Sequence, residues 1–281
     1  MKIEIDENKN IYRDLPRFIR YALASYKKRG YIGGIISGEF AKGKTVTAIK
    51  IAGKIIQAMY GYTEEQSWDI VIDKYLIFTS DDFLDLTEEL NKGYDWESMD
   101  YREILQAKYE MRYPVLIWDD AGIHASSKKE VFDKSSAYDI QTEYDTIRDT
   151  TSCMLLTVPE EGELMKFLRS YRSNYFIELA TPNGIGDPNK RIMYYYKYER
   201  DNKTGNMRRK IKWYTKPEDA HSIHLPDWAY GKYDKMRTLA KIKHNKEYQK
   251  KKEDRELIKK YKLVKKKRLI EKWGKELSTM S

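Results

Sequence analysis

Cysteine is almost missing. Cys153 is the single one in 281 residues, which excludes an intramolecular disulfide framework and fits a reducing compartment. It stands in the apolar run "SCMLLTV" and reads as core. Histidine is scarce, four in all. His221 and His224 form only a pair with no cysteine nearby, so they do not make a zinc-type ligand set. His124 reads as a capping or surface residue, although it follows a pair of aspartates closely enough to feel a bound phosphate. No run of about 20 apolar residues occurs, so no membrane-spanning helix is expected. The opening "MKIEIDENKN" lacks the charged-then-apolar leader pattern, and a cytoplasmic location is expected.

Positive charge is what the chain has in excess, and it is concentrated. Residues 232–275 hold 19 Lys and Arg against 6 Asp and Glu, a net +13, which leaves the rest of the chain at −4. Such asymmetry points to a nucleic acid or another anionic surface as partner. A solvated, ion-paired helix of a heat-adapted protein is the alternative.

Strand and helix patterns alternate along the first 180 residues. Helices are expected at 14–29, 44–61, from Asp81 or Asp82 through "DDFLDLTEEL", and at 98–112, 135–149 and 161–172. Strands are expected at 31–37, 74–80, 114–120, 152–158 and 174–180, those at 31–37 and 152–158 buried and that at 114–120 continuously apolar. That alternation argues for an α/β fold, a mostly parallel sheet flanked by helices. Beyond Pro182 the pattern changes. "RIMYYYKYER" and "RRKIKWYTK" flank Thr204-Gly205 and read as a β-hairpin. A long basic helix is expected after Pro226, reaching about residue 277. The expected organisation is a core over 1–180, a hairpin extension over 181–225 and a helical region over 226–281.

The stretch "GEFAKGKT", Gly38 to Thr45, has the form G-x-x-x-x-G-K-[ST]. Gly38 and Gly43 let the backbone wrap a phosphate with its N–H groups turned inward. The helix that follows brings its positive end to the same point. Lys44 would reach the β- and γ-phosphates and Thr45 would offer a hydroxyl to Mg²⁺. Glu39, Phe40, Ala41, Lys42 and Val46 complete the expected ATP-binding loop, with Lys42 an extra charge of no assigned role. The strand before and the helix after are the setting such a loop requires. Asp119 and Asp120 stand 75 and 76 residues beyond Lys44, at the end of the apolar strand "VLIWDD". Ligands of open α/β sheets bind outside the carboxyl ends of strands. Asp119 would hold Mg²⁺ as a Walker B aspartate does, and Asp120 would orient the attacking water.

With an extra strand, "YLIFTS", between the loop and the aspartates, the chain resembles the additional-strand P-loop ATPases, which include the RecA-like and AAA+ groups. On "GEFAKGKT", "VLIWDD" and "MLLTVP" it is most similar to initiators and helicase loaders of the DnaA/DnaC type. Through "YPVLIWDDAGIH" and "LPDWAYGKYDKMR" it also looks like the P-loop ATPases of archaeal viruses and plasmids, whose setting is the host cytoplasm. The resemblance implies a homo-oligomeric ATPase acting on DNA. It implies that Thr157 is a polar sensor of the γ-phosphate or the water. It implies that Arg169 or Arg172 is an arginine finger for a neighbouring subunit, with Arg148 a third candidate. It also implies that Ile11 and Tyr12 touch the adenine. Two departures are visible. Asp120 is one methylene shorter than the commoner glutamate, so hydrolysis is expected to be slow or to need a partner. And a basic, Tyr-rich hairpin stands where a helical lid would follow residue 180.

The hairpin interleaves Arg208, Arg209, Lys210 and Lys212 with Trp213 and Tyr214. That mixture suits phosphate contacts and base stacking. Together with the 232–275 segment it makes DNA, read mainly through its backbone, the expected partner. A DNA-translocating packaging or transfer motor and a nucleotide-gated scaffold with negligible turnover stay open as alternatives.

Overall fold

From Tyr31 to Ser37 apolar and polar side chains do not alternate, so a strand there has to bury both faces. In the computed structural model β1 (Ile32–Ser37) is buried at all six positions and lies inside the sheet. The structure describes residues 16–38, 42–79, 82, 85–86, 95, 97–126, 134–171, 173–181, 189–200, 207–216, 220–246, 249–250, 253 and 256. Ile11, Tyr12, Glu39, Phe40, Ala41, Arg172, the Thr204-Gly205 turn, most of "DDFLDLTEEL" and most of the basic tail lie outside them.

Five strands run parallel. β1 has β4 (Cys153–Val158) on one side and β5 (Asn174–Ala180) on the other. β3 (Leu116–Trp118) pairs with β4, and the two-residue β2 (Leu76–Ile77) pairs with β3 at the edge. "KYLIFTS" therefore does not separate the loop strand from the aspartate strand in space. β4 takes that place, and only two residues of the expected strand join the ladder. Beyond β5 the sheet continues with antiparallel β6 (Lys190–Arg200) and β7 (Met207–Tyr214), while the short β8 (His221–Ser222) pairs with β6. The hairpin thus shares hydrogen bonds with the parallel strands.

Helices cover both faces. α1 (Arg17–Lys27) buries Phe18, Ile19, Ala22 and Leu23, the i, i+1, i+4, i+5 face of an amphipathic helix. It approaches β1 at Gly34, where an added Cβ would lie 3.0 Å from Phe18 Cζ. α2 (Lys44–Tyr60) is the most buried helix described and stops at Gly61, left-handed at φ 70°. α3 (Glu64–Lys74) is not among the expected helices. It opens with a reciprocal capping box between Thr63 and Gln66 and buries Ser67, Trp68, Val71 and Ile72. On the opposite face, Ala137, Ile140 and Tyr144 of α6 (Lys134–Thr150) pack on Ile35, Met154, Leu156 and Phe176. Two further helices, α4 (Tyr101–Glu110) and the single turn α5 (Ala121–His124), flank β3 in sequence.

The helix expected over 161–172 is interrupted. A 3₁₀ turn (Glu161–Glu163) and α7 (Lys166–Ser170) are separated by extended Leu164 and Met165. Leu164 bridges to Ser126, and Met165 N donates to Ala125 O at 2.9 Å. A tertiary partner takes the backbone groups that a helix would have used. The last helix, α8, spans 227–246. The chain divides into two compact units, Met1–Tyr233 and Asp234–Ser281.

Candidate functional site

Gly43 sits between the loop and α2 in the left-handed region, φ 80° and ψ 27°. A side chain there would be strained by the backbone and would also meet Ile223, whose Cβ and Cγ2 lie 2.7 Å from an added Cβ. The first turn of α2 leaves N–H groups that no helical carbonyl satisfies, so this end attracts anions. Lys44 Nζ donates to Gly38 O at 2.8 Å, folding the side chain back along the loop. Thr45, on the next position, carries a hydroxyl in the first turn of α2.

That hydroxyl meets Asp119, at the carboxyl end of β3. Asp119 is wholly buried. Its Oδ1 accepts from Thr45 Oγ1 and from Thr157 Oγ1, both at 2.6 Å, and its Oδ2 accepts from Tyr233 OH at 2.9 Å. Burial raises its pKa above the usual carboxylate value, the neighbouring Asp120 charge adds to the rise, and the three hydroxyls oppose it. Asp120 follows with φ 50° and ψ 38°, and its N–H donates to Thr157 Oγ1 at 2.9 Å. A left-handed aspartate at the end of a buried strand is a strained conformation of the kind that clusters at functional sites.

A cleft of about 730 Å³ opens beside the loop at the carboxyl ends of β1, β4 and β5. Gly38, Lys42, Glu161, Glu178, Tyr198 and Arg209 are among its walls. This gives Lys42 a place, at the cleft. Thr45 and Asp119 offer hard oxygen donors side by side, the chemistry Mg²⁺ prefers. Gly43, lacking a Cβ, leaves room for Ile223 to pack against the loop backbone. The residues present fit a phosphate chain with a magnesium ion.

The other expected residues are placed as follows. Val46 is buried in the first turn of α2. Thr157 is wholly buried, with its hydroxyl engaged by Asp119 and by the backbone of Asp120. Arg169 is half-buried, with Nε donating to Leu164 O at 3.0 Å. Arg148 pairs with Asp145 at 3.6 Å and lies over the Tyr171 ring. In the hairpin, Arg209 pairs with Glu178 and stacks on Tyr196, while Lys210 and Lys212 both pair with Glu199. Trp213 stacks on Tyr195 with ring centroids 5.1 Å apart. Arg208 and Tyr214 are exposed. Cys153 is buried and its thiol is pushed up by burial. Among the described residues no cluster of metal-ligating side chains is found, and no helix is long and apolar enough to cross a membrane.

Sequence reasoning missed Tyr233, His221 and Ile223. His221 Nε2 lies 2.8 Å from Thr47 Oγ1 on α2, and Lys50 Nζ donates to Ser222 O at 2.7 Å. Burial, then the charges of Lys50 and Arg191, lower the His221 value to about 4. One signal for Tyr233 was available. Leu225, Ala229 and Tyr233 recur every four residues and all three are buried, the mark of a docked helical face.

No known family profile matches the chain. It is 25% identical over 218 residues to the uncharacterised protein B-251 of Sulfolobus spindle-shape virus 1, covering 76% of this chain and 77% of that one. Among solved structures it is similar to the N-terminal domain of zonular occludens toxin from Neisseria meningitidis, at 16% identity and TM-score 0.32 over 66% of this chain and 95% of that one. It is also similar to a KaiC-like protein, PH0186, from Pyrococcus horikoshii OT3, at 14% identity and TM-score 0.25 over 65% and 85%. These relatives do not single out the DnaA/DnaC type. The largely parallel sheet flanked by helices is consistent with a P-loop NTPase-like architecture.

Proposed function

We propose that the loop Gly38–Thr45 binds ATP with Mg²⁺ and that the chain hydrolyses it while associated with DNA. One observation carries the reading. The hydroxyl that follows the loop lysine and the hydroxyl of the central strand β4 converge on one oxygen of a buried aspartate beside the loop. Burying a carboxylate is costly, and this one stands where a triphosphate's metal would be held. Thr45 and Asp119 would hold the magnesium ion, which offsets phosphate charge when bound. Lys44 then leaves the Gly38 carbonyl for the β- and γ-phosphates. Asp120 orients the attacking water, and Thr157 fixes both aspartates. Arg169, Arg172 and Arg148 remain candidates for a cation supplied to a neighbouring copy, which a homo-oligomer would require.

Replication or DNA handling of a virus or plasmid is the setting this reading favours. Its supports are the basic 232–275 segment and the likeness to a spindle-shaped-virus protein. A nucleotide-gated scaffold with negligible turnover is the second reading, favoured by the short, left-handed Asp120. ATP turnover measured with and without DNA tests both. The wild type should hydrolyse ATP, Lys44→Ala should abolish turnover, and Asp120→Asn should lose turnover while retaining nucleotide. Turnover unchanged in Lys44→Ala would refute the site. Nucleotide binding without turnover in the wild type would favour the scaffold.

A further inference from the structure

A carboxylate has roughly four lone-pair positions, and at Asp119 three are occupied by hydroxyls. Thr45 and Thr157 fill Oδ1, and Tyr233 takes one position on Oδ2. Among the described residues one position on Oδ2 is left for the water shell of a metal. Its direction depends on how the carboxylate is rotated, and the hydroxyl that governs Oδ2 is that of Tyr233.

Tyr233 is 4% exposed and comes from 114 residues further along the chain. Its ring stacks on Phe78, centroids 6.3 Å apart. Phe78 and Thr79 are in turn fixed by backbone bonds to the Asp82 carboxylate, each 2.8 Å. The preceding residue, Lys232, reaches Asp69 and Asp73 on α3, each at 2.5 Å. Leu225 and Ala229 are buried on the same segment. The segment 225–233 is therefore docked by apolar packing and by an ion pair on α3, and it presents a single hydroxyl to the metal-site carboxylate. Packing alone does not require that hydroxyl, since a phenylalanine would fill the same volume.

We propose that Tyr233 is a positioning residue for the Mg²⁺–nucleotide site, and that docking of 227–233 and occupancy of that site reinforce each other through the Tyr233–Asp119 hydrogen bond. This rests on the reading of Gly38–Thr45 and Asp119 as a Mg²⁺–ATP site. Tyr233 fixes the rotation of the Asp119 carboxylate and with it the direction in which Oδ2 faces. Each partner therefore meets a carboxylate already set by the other, and linkage makes the effect reciprocal. The next residue, Asp234, begins the second compact unit of the chain.

The test uses the full chain with a non-hydrolysable fluorescent ATP analogue, titrated with Mg²⁺. Tyr233→Phe should fold with an unchanged circular dichroism spectrum and need about tenfold more Mg²⁺ for half-saturation, the usual cost of losing an outer-shell partner. Lys232→Ala loosens the same segment but keeps the hydroxyl, so by the same linkage it should raise the Mg²⁺ requirement, though by less than Tyr233→Phe does. Tryptic cleavage after Lys232 and Lys235, read by mass spectrometry, should slow several-fold on adding Mg²⁺ and the analogue to the wild type. In Tyr233→Phe that slowing should vanish. Wild-type Mg²⁺ dependence and wild-type protection in Tyr233→Phe would overturn the inference and leave the nucleotide site standing. An equal shift in Lys232→Ala would reduce Tyr233 to packing and overturn it as well. Failure of the wild type to bind the analogue would overturn both the site and the inference.

Discussion

Asp119 shows how much a single residue is asked to do. It is buried, beside another aspartate, and kept there by three hydroxyls from Thr45, Thr157 and Tyr233. The placement of Lys44 and Thr45 at the start of α2 and of Asp119 at the end of β3 was legible in the sequence, because it follows from a glycine loop and a strand end. Tyr233 and His221 were not, because they meet their partners across 114 and 174 residues of chain. His221 makes its own testable contribution. It is mostly buried and stays neutral in the folded chain down to about pH 4, against an ordinary value of 6.5. The unfolded chain therefore binds more protons between those values, so stability falls as pH drops from 6.5 towards 4. The shift is worth about 3 kcal/mol at most. Urea midpoints measured from pH 7 to pH 4 should fall in the wild type and fall less in His221→Gln. Parallel falls in both would contradict the assignment.

At the scale of elements, β1, β3 and β4 were readable as largely apolar runs, and all three lie inside the sheet. The reading was weaker where partners decide. "KYLIFTS" contributes only Leu76 and Ile77 at an edge, and the helix over 161–172 breaks where Ala125 and Ser126 take its backbone groups. α3 escaped notice although Thr63 and Gln66 carry a capping box. The hairpin was visible from its turn and alternating residues, but its pairing with β5 was not. Its charges also have a structural use, because lysine and arginine on an edge strand discourage pairing with another chain. The loop–α2 junction gives the sharpest prediction at this scale. Gly43→Ala would place a methyl in a left-handed backbone and against Ile223. It should weaken ATP binding by at least tenfold. Adding Ile223→Ala should restore only part of the loss, since it removes the clash and leaves the backbone strain. Full recovery in the double variant, measured by equilibrium binding, would show that φ at Gly43 is not limiting.

The whole molecule is an electrically divided one, a near-neutral α/β unit followed by a strongly basic segment. Three hairpin cations, Arg209, Lys210 and Lys212, are engaged with Glu178 and Glu199. In the second unit, Lys235, Lys241, Lys243 and Lys246 are exposed. The segment after residue 233 is therefore the better candidate for DNA phosphates. If it contacts 6–10 of them, affinity should drop by about 10³–10⁵ between 50 and 200 mM salt. Removing residues 247–281 leaves the docked 225–233 in place and should flatten that dependence. An unaltered salt slope would assign the tail to another partner.

The central claim is that Gly38–Thr45 and Asp119 form one site for a triphosphate and its metal. Calorimetric titration of the full chain with ATP, with and without Mg²⁺, tests it most directly. The wild type should bind one ATP per chain with an affinity that Mg²⁺ strengthens, and Lys44→Ala should lose at least tenfold while remaining folded. Equal binding by the two proteins, or wild-type binding indifferent to Mg²⁺, would contradict the account.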